Sequence, residues 1–148
     1  MKLFITLSKK SLVALIAAIV LILLILGQLM TLGVSAPDGS TNQTRVDYIE
    51  QLGYPVEETP AEVREIVIPQ TFSEVYTKYN ALQIQAGFDL TAYKGKSATV
   101  YAYLLQENAD YRVNLIVCGD RVIGGDVSSV RLDGEMLPLA DSGQAISN

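Results

Sequence analysis

The clearest pattern in the chain is an apolar stripe with helical periodicity that follows Thr71. Thr71 and Glu74 have the spacing of a capping box, which satisfies backbone N–H groups at the start of a helix. Gly87 can adopt the left-handed conformation that ends a helix. The pattern therefore predicts one helix over 72–86. Its stripe should be buried and consists of Phe72, Val75, Tyr76, Tyr79, Leu82, Gln83 and Ala86.

Shorter patterns flank this helix on both sides. Apolar residues at helical spacing precede Gly53, so we expect a short helix over 44–52. Segments rich in β-branched residues, or with alternating polarity, predict extended strands. These strands should occupy 62–68, 97–105, 111–118, 121–130 and a short edge segment at 135–139.

Glycines mark the turns and irregularities of the predicted sheet. Gly119 followed by Asp120 fits a type II′ hairpin, because glycine supplies the positive φ at its first central position. The pair Gly124 and Gly125 indicates a bulge or a close backbone contact within a strand. The fold class that follows is α+β, with the main helix packed across an antiparallel β-meander that shelters its stripe.

The N-terminal part of the chain has the pattern of a membrane anchor. An apolar run spans 12–34 and is long enough to cross a hydrocarbon core of roughly 30 Å. A signal peptide cut after Ala36 is the alternative, but the run exceeds the usual apolar region of such peptides and Pro37 follows the cut. The sequence therefore favours an uncleaved transmembrane helix.

The distribution of basic residues predicts the orientation of this anchor. Every lysine of the N-terminal part precedes the apolar run, which places the N-terminus in the cytoplasm and the remainder outside. The predicted segments are a basic cytoplasmic N-terminus at 1–11, the anchor at 12–34, a linker at 35–43, an extracytoplasmic α+β domain at 44–139 and a disordered tail at 140–148.

Charge and composition exclude several classes of function. The chain has a net charge of −5, and the part after the anchor is more acidic still, which argues against nucleic acid or anionic lipid headgroups as partners. Histidine is absent and Cys118 is the single cysteine, so Ser-His and Cys-His nucleophiles, histidine-based zinc sites and an internal disulfide are excluded. No cofactor or metal site is predicted, and Cys118 itself is interpreted as a packed residue rather than a redox or attachment site.

Four polar residues are candidates for binding, and each also has a structural interpretation. Gln83 and Asn80 lie in or beside the buried stripe, where an amide needs a hydrogen-bond partner, either backbone or ligand. Asp89 follows the helix end and suits an Asx turn. Asp126 follows two glycines, which suits a bulge or a close approach of ligand. If Asp89 and Asp126 converged, they could form an acid/base pair or a site for a hard cation.

Two tyrosines complete the set of candidates. Tyr101 and Tyr103 share one face of a predicted strand with Thr99. Such a face could line a groove for a peptide or a glycan. The alternative is that both tyrosines are core residues with hydroxyls in contact with water.

Two segments carry a resemblance to a known family: IVIPQTFSEVYTKYNALQIQAGFDLTAYKGK and RVNLIVCGDRVIGGDVSSVRLDGEM. They resemble a family of uncharacterised membrane-anchored proteins of Gram-positive bacteria, one of the catalogued domains of unknown function. The resemblance covers roughly residues 45–139. It rests on blocks in the same order: Tyr79-Asn80, Gly87-Phe88-Asp89-Leu90, Tyr93-Lys94-Gly95 and Gly124-Gly125-Asp126. It implies an extracytoplasmic domain behind one anchor and assigns no activity.

These observations favour a binding protein over an enzyme. We expect a non-catalytic, membrane-tethered interaction module that binds an envelope protein or polymer through the tyrosine-rich sheet face or an exposed strand edge. The alternatives are a carboxylate-dependent envelope hydrolase built on Asp89 and Asp126, and a structural accessory domain. The expected location is the cytoplasmic membrane, crossed once at 12–34, with the domain outside.

Overall fold

A computed structural model of the chain describes residues 16–23, 36–131 and 133–139. The α+β class is confirmed, since a small antiparallel sheet is combined with helices. The elements in chain order are α1 (Asn42–Gln51), β1 (Glu62–Val67), α2 (Glu74–Gln85), a 3₁₀ turn (Leu90–Tyr93), β2 (Ser97–Leu104), β3 (Tyr111–Cys118), β4 (Arg121–Ser129) and β5 (Met136–Pro138).

The five strands form one antiparallel sheet in the order β1-β2-β3-β4-β5. The strands that follow α2 are joined by short connections, as the predicted meander requires. β1 precedes α2 in the chain and pairs with β2, so it forms one edge of the sheet. β5 forms the other edge and has only three residues.

Apolar clusters cover both faces of the sheet. One cluster combines residues of α1 with one face of the strands, and its central members are Val46, Ile49, Tyr103, Val113 and Leu115. The second lies on the opposite face beside α2 and consists of Ile68, Leu90, Ala98, Val100, Ile116 and Ile123. Each strand therefore alternates between an α1 side and an α2 side.

The start of α1 lies earlier than the pattern predicts. Thr41 and Thr44 form a reciprocal capping box, and helix α1 begins at Asn42 rather than at residue 44. The segment expected to be a linker is hydrogen-bonded to the sheet, because the amide of Gly39 donates to the carbonyl of Asp120 at 2.9 Å. The folded unit accordingly begins at Ala36.

The capping box predicted at Thr71 and Glu74 is wrong. The helix begins at Glu74, and its cap is Ser73, whose Oγ accepts a hydrogen bond from the amide of Tyr76 at 3.2 Å. Thr71 therefore lies outside the helix. The end is as predicted, since Gly87 has a φ of +84° just beyond the last turn.

The buried side of α2 also differs from the predicted stripe. Val75 is 78% exposed, and Asn80, which was placed beside the stripe, is buried together with Gln83, whose burial was predicted. The helix is rotated about its axis because these two amides make hydrogen bonds beneath it, so Val75 faces solvent. Buried polar contacts, rather than an apolar stripe alone, fix the orientation of α2.

The turn between β3 and β4 is type I′, not the predicted type II′. Gly119 has a φ of +53° and Asp120 a φ of +63°, and positive φ at both central positions defines type I′. Aspartate tolerates the left-handed region better than most residues, which makes this turn accessible.

The pair Gly124 and Gly125 provides both features that the sequence predicts. The β3–β4 register shifts at Val117, so Ile123 is the extra residue of a bulge. A Cβ at Gly125 would lie 2.6 Å from the carbonyl oxygen of Asn114, which shows how closely the backbones approach.

The anchor expected at 12–34 falls mostly outside the described residues. Residues 16–23 are helical and exposed, and none of the helices in the described ranges is long and apolar enough to cross a membrane. The predicted N-terminal segment 1–11 and the tail 140–148 also lie outside the described residues.

Candidate functional site

A cleft of about 330 Å³ lies on the α2 side of the sheet. Its floor is formed by β2, β3 and β4, one wall by β1, and the opposite wall by α2. We refer to it as the sheet cleft, and its lining residues are Arg64, Ile66, Val67, Tyr76, Tyr79, Val100, Arg112, Asn114, Ile116, Asp126, Ser128 and Met136. Its volume lies at the lower end of the range typical of small-ligand sites.

A hydrogen-bonded group of polar side chains forms part of the cleft floor. The Nδ2 group of Asn114 donates to Asp126 Oδ1 at 2.8 Å and to Ser128 Oγ at 2.9 Å. The hydroxyl of Tyr79 donates to Asp126 Oδ2 at 2.9 Å. All three residues from the strands are buried, and Asp126 is only 3% exposed. Both carboxylate oxygens of Asp126 thus have donors, as a buried charge requires.

The strand register brings these groups together. Asn114 of β3 lies directly opposite Asp126 of β4, so the two side chains share a face. This pairing depends on the bulge. Next to the turn, Val117 lies opposite Val122, and if that register continued along the strands, Asn114 would lie opposite Gly125 and Asp126 would point toward the apolar α1 side. The glycine-rich bulge therefore creates the polar floor of the cleft.

Burial raises the pKa values of Asp126 and Tyr79, the two ionisable groups of this hydrogen-bonded group. Removal from water raises the pKa of Asp126, although hydrogen bonds from Asn114, Tyr79 and Ser128 and the charge of Arg112 oppose the shift. Burial, together with the neighbouring Asp126 charge, raises the pKa of Tyr79 strongly. Tyr79 consequently remains a hydrogen-bond donor throughout the physiological pH range.

Two arginines of the lining stand at one side of the cleft. Glu62 Oε1 lies 3.2 Å from Arg64 Nε, and Glu62 Oε2 lies 3.2 Å from Arg112 Nη1. One carboxylate therefore bridges two guanidinium groups. Within the described part of the chain, Arg112 Nε is buried without a hydrogen-bond acceptor. This side of the cleft has more donors than acceptors.

The cleft combines features that suit binding of a polar ligand with an apolar part. Hydroxyl, amide and guanidinium groups can form directional hydrogen bonds, while Ile66, Val100 and Ile116 provide apolar contact surface. Across the described ranges, no three Cys, His, Asp or Glu side chains are grouped as metal ligands.

Of the residues predicted from sequence, Asp126 lies in the cleft, whereas Asn80 and Gln83 lie under α2. Asn80 Oδ1 accepts from the amide of Leu90 at 2.8 Å, and Gln83 Oε1 accepts from the amide of Gly125 at 2.7 Å. Both amides therefore have the structural role, in which a side chain satisfies a backbone group. Gln83 Nε2 has no partner among the described residues.

Asp89 has the predicted local role. Its Oδ1 accepts from the amide of Thr91 at 2.9 Å, from the Thr91 hydroxyl at 2.7 Å and from Asn80 Nδ2 at 3.1 Å. These hydrogen bonds, led by the one from the Thr91 amide, lower the pKa of Asp89. None of these hydrogen-bond partners is shared with Asp126, so the two carboxylates belong to separate networks.

Tyr101 and Tyr103 lie on the other face of the sheet, beneath α1. The guanidinium of Arg45 lies 3.7 Å from the centre of the Tyr101 ring, and Arg45 Nε donates to the Tyr103 hydroxyl at 2.9 Å. That hydroxyl donates in turn to Asn42 Oδ1 at 2.9 Å. Tyr103 is fully buried. The tyrosine-rich face is therefore core covered by a helix, not an open groove, and the Tyr103 hydroxyl is bonded to protein rather than to water.

Sequence reasoning did not select most of the cleft. The residues it missed are Arg64, Tyr76, Tyr79, Arg112, Asn114 and Ser128. A signal was present, because polar residues recur at a spacing of two on both strands of the β3–β4 hairpin. Only the position of the bulge shows that these polar residues share a face.

A second hollow, of about 350 Å³, lies at the ends of β1 and β2 near Gly119. Glu65, Thr99 and Ser97 are its polar side chains, and none of them is buried. Since it lacks a buried hydrogen-bonded network, it is less suited to selecting a ligand than the sheet cleft. Cys118 is half-buried and packs against the apolar cluster beside α2.

Comparison with known proteins identifies a family but no characterised relative. Residues 48–127 match the family described as a domain of unknown function, DUF4830. This range includes α2, the bulge and most of the cleft lining. No curated protein and no solved structure matches the chain.

Proposed function

The chain belongs to this family, whose description assigns no activity, and we propose that its domain is a non-catalytic binding module that receives an envelope protein or polymer in the sheet cleft. The observation that carries the proposal is the buried hydrogen-bonded group of Asn114, Asp126, Ser128 and Tyr79 on the cleft floor.

Burial of this polar group carries an energetic cost that folding alone does not explain. An apolar floor of the same shape would serve the fold equally well, because replacing buried polar partners by apolar groups is often neutral or stabilising. Polar groups fixed at the base of a cleft, beside two arginines, are the arrangement that orients a ligand and gives specificity. Ligand binding therefore explains why the chain keeps a buried polar group that is costly for folding.

We further propose that residues 12–34 hold the domain at the outer face of the cytoplasmic membrane, in the Gram-positive envelope that the resemblance implies. The support is the length of the apolar run and the lysines on its N-terminal side. The connection to the domain is short, because Gly39, whose amide donates to the carbonyl of Asp120 at 2.9 Å, follows this run by only a few residues.

Co-purification with the intact chain tests the binding proposal. Tyr76→Ala removes one of the α2 side chains that line the cleft, and Val75→Ala, at the adjacent exposed position on α2, is the matched control. We expect the wild-type chain and Val75→Ala to retrieve the same envelope component and Tyr76→Ala to lose it. Equal retrieval by all three chains, or retrieval of nothing by the wild type, would refute binding in the cleft.

A further inference from the structure

The β1 edge of the sheet is open to another strand. β1 spans Glu62–Val67 without proline, and the sheet order leaves its outer side unpaired within the described ranges. Val63 is 56% exposed and Val67 is 63% exposed, so this edge presents apolar residues of high β propensity to solvent. The opposite edge is protected, since β5 is short and ends at Pro138. β1 is therefore where the sheet can be extended.

The alternation of the ladder shows which backbone groups face outward. The amide of Ile68 donates to the carbonyl oxygen of Lys96 at 2.9 Å, toward β2. Inward and outward hydrogen-bonding residues alternate along an antiparallel strand. Val67, Glu65 and Val63 consequently direct their N–H and C=O groups toward the free edge. The alternation stops there, because the amide of Ala61 donates inward to the carbonyl oxygen of Ala102 at 2.8 Å.

We propose that this edge pairs with the same edge of a second copy of the chain, antiparallel and centred on Val63. In this register Glu62 of each copy lies opposite Arg64 of the other, so two ion pairs form across the interface. Centring the pair on Arg64 would oppose two guanidinium groups, and centring it on Glu65 would oppose two carboxylates. Like charges directly opposite each other are destabilising. Centring the pair on Ile66 or Val67 opposes no like charges but forms no ion pair, so charge complementarity favours the Val63 register.

The proposed pair makes the domain a symmetric dimer with one continuous ten-stranded sheet. Its hydrogen bonds come from the β1 backbone, whereas its ion pairs use Glu62 and Arg64, which also stand at one side of the sheet cleft. Tethering both copies to one membrane, if residues 12–34 anchor them, would raise their effective concentration and favour the pair.

A cysteine scan of the edge tests the register in the intact chain. In a Cys118→Ala background, single cysteines are placed at Val63, Glu65 or Val67, and membranes from expressing cells are oxidised with copper phenanthroline. Directly opposed residues of a hydrogen-bonded pair have Cα atoms about 5.5 Å apart, which suits a disulfide. We expect a disulfide-linked dimer from Val63→Cys and much less from the other two positions.

The same scan can overturn the proposal. No linked dimer at any position means that the edge does not pair with itself. Stronger linkage at Glu65 or at Val67 than at Val63 means that another register is occupied, contrary to the argument from charge. A linked product at Val63 of a different mass means that a different protein adds to this edge.

A mixing experiment separates the interface from the Glu62–Arg64 contact within each chain. Arg64→Glu alone turns the two attractive 62–64 pairs between copies into two repulsive pairs, and Glu62→Arg alone has the same effect. We expect each variant to lose about thirtyfold in dimer affinity. A mixture of these two chains restores both ion pairs across the interface, although each chain still lacks its internal pair. Dimer recovery in the mixture, measured with chains of two sizes, is expected; dimers that do not recover would refute the register.

Discussion

The hydrogen bond between Tyr79 and Asp126 makes a prediction about stability and its pH dependence. Tyr79→Phe removes the hydroxyl that lies 2.9 Å from Asp126 Oδ2 and leaves the ring in place. Asp126 is 3% exposed, so water does not readily replace the lost donor. Hydrogen bonds to charged groups are worth about 1.5–3 kcal/mol. We expect the free energy of unfolding at neutral pH to fall by about 2 kcal/mol.

The sign of the pH dependence follows from the direction of the Asp126 shift. Burial raises the pKa of Asp126 above its unfolded value, so the folded state binds more protons than the unfolded state between the two values. Stability from this group is therefore gained as pH falls through the folded pKa and is lost as pH rises through it. The lost donor raises that pKa further, so the loss of stability in Tyr79→Phe should be largest where Asp126 is charged and should shrink as pH falls through the folded pKa.

Urea unfolding of the chain from Ala36 onward, at a series of pH values, measures this effect. Tyr76→Phe is the matched control, since the structure gives the Tyr76 hydroxyl no hydrogen-bond partner among the described residues. The control should change the free energy of unfolding by less than about 0.5 kcal/mol. A loss for Tyr79→Phe that is as small as the control's, or that stays constant down to pH 4, would refute the reasoning.

Three further substitutions test how the sheet and α2 are held. Gly125→Ala places a Cβ about 2.6 Å from the carbonyl oxygen of Asn114. We expect the free energy of unfolding, measured in urea, to fall by about 3 kcal/mol or more, and a fall below about 1 kcal/mol would contradict the close approach. Gln83→Leu leaves the buried amide of Gly125 without an acceptor and should cost about 1–3 kcal/mol by the same assay, whereas an unchanged midpoint would show that this bond does not hold α2. Lys78→Ala breaks only the exposed 2.8 Å ion pair with Glu74 and should cost less than about 0.5 kcal/mol, and a larger loss would contradict its exposure.

Local patterns were sufficient to predict most of the secondary structure. β3 spans the residues expected from alternation alone, and Gly87 ends α2 because its conformational freedom is a property of that single residue. Asp89 takes its Asx role for the same reason, since a side chain that bonds its own turn needs no distant partner. Structural features that depend only on neighbouring residues can therefore be predicted from the sequence.

Features that depend on tertiary contacts were harder to predict. The stripe of α2 was assigned by hydropathy, which placed Gln83 correctly but could not show that Val75 faces solvent or that Asn80 is buried by a bond to the amide of Leu90. The sequence left Tyr103 open between a groove and the core, and only its hydrogen bonds with Arg45 and Asn42 of the covering helix decide for the core. In each case a partner from another element determines the outcome.

The candidate site shows the same limit. Asp126 was selected because it follows two glycines, but its neighbours on the cleft floor were not. Their convergence depends on the single extra residue Ile123, which shifts the register of β4 and turns Asp126 toward Asn114. A sequence can indicate that a bulge exists without showing where the strand register changes.

Photo-crosslinking from the cleft wall tests most directly whether the sheet cleft is a binding site. A photoreactive phenylalanine replaces Tyr76, which lines the cleft, or Val75, its 78% exposed neighbour on α2, in the intact chain in living cells. The account predicts one defined crosslinked product from position 76 that is absent from position 75. The same products from both positions, or none from position 76, would contradict it.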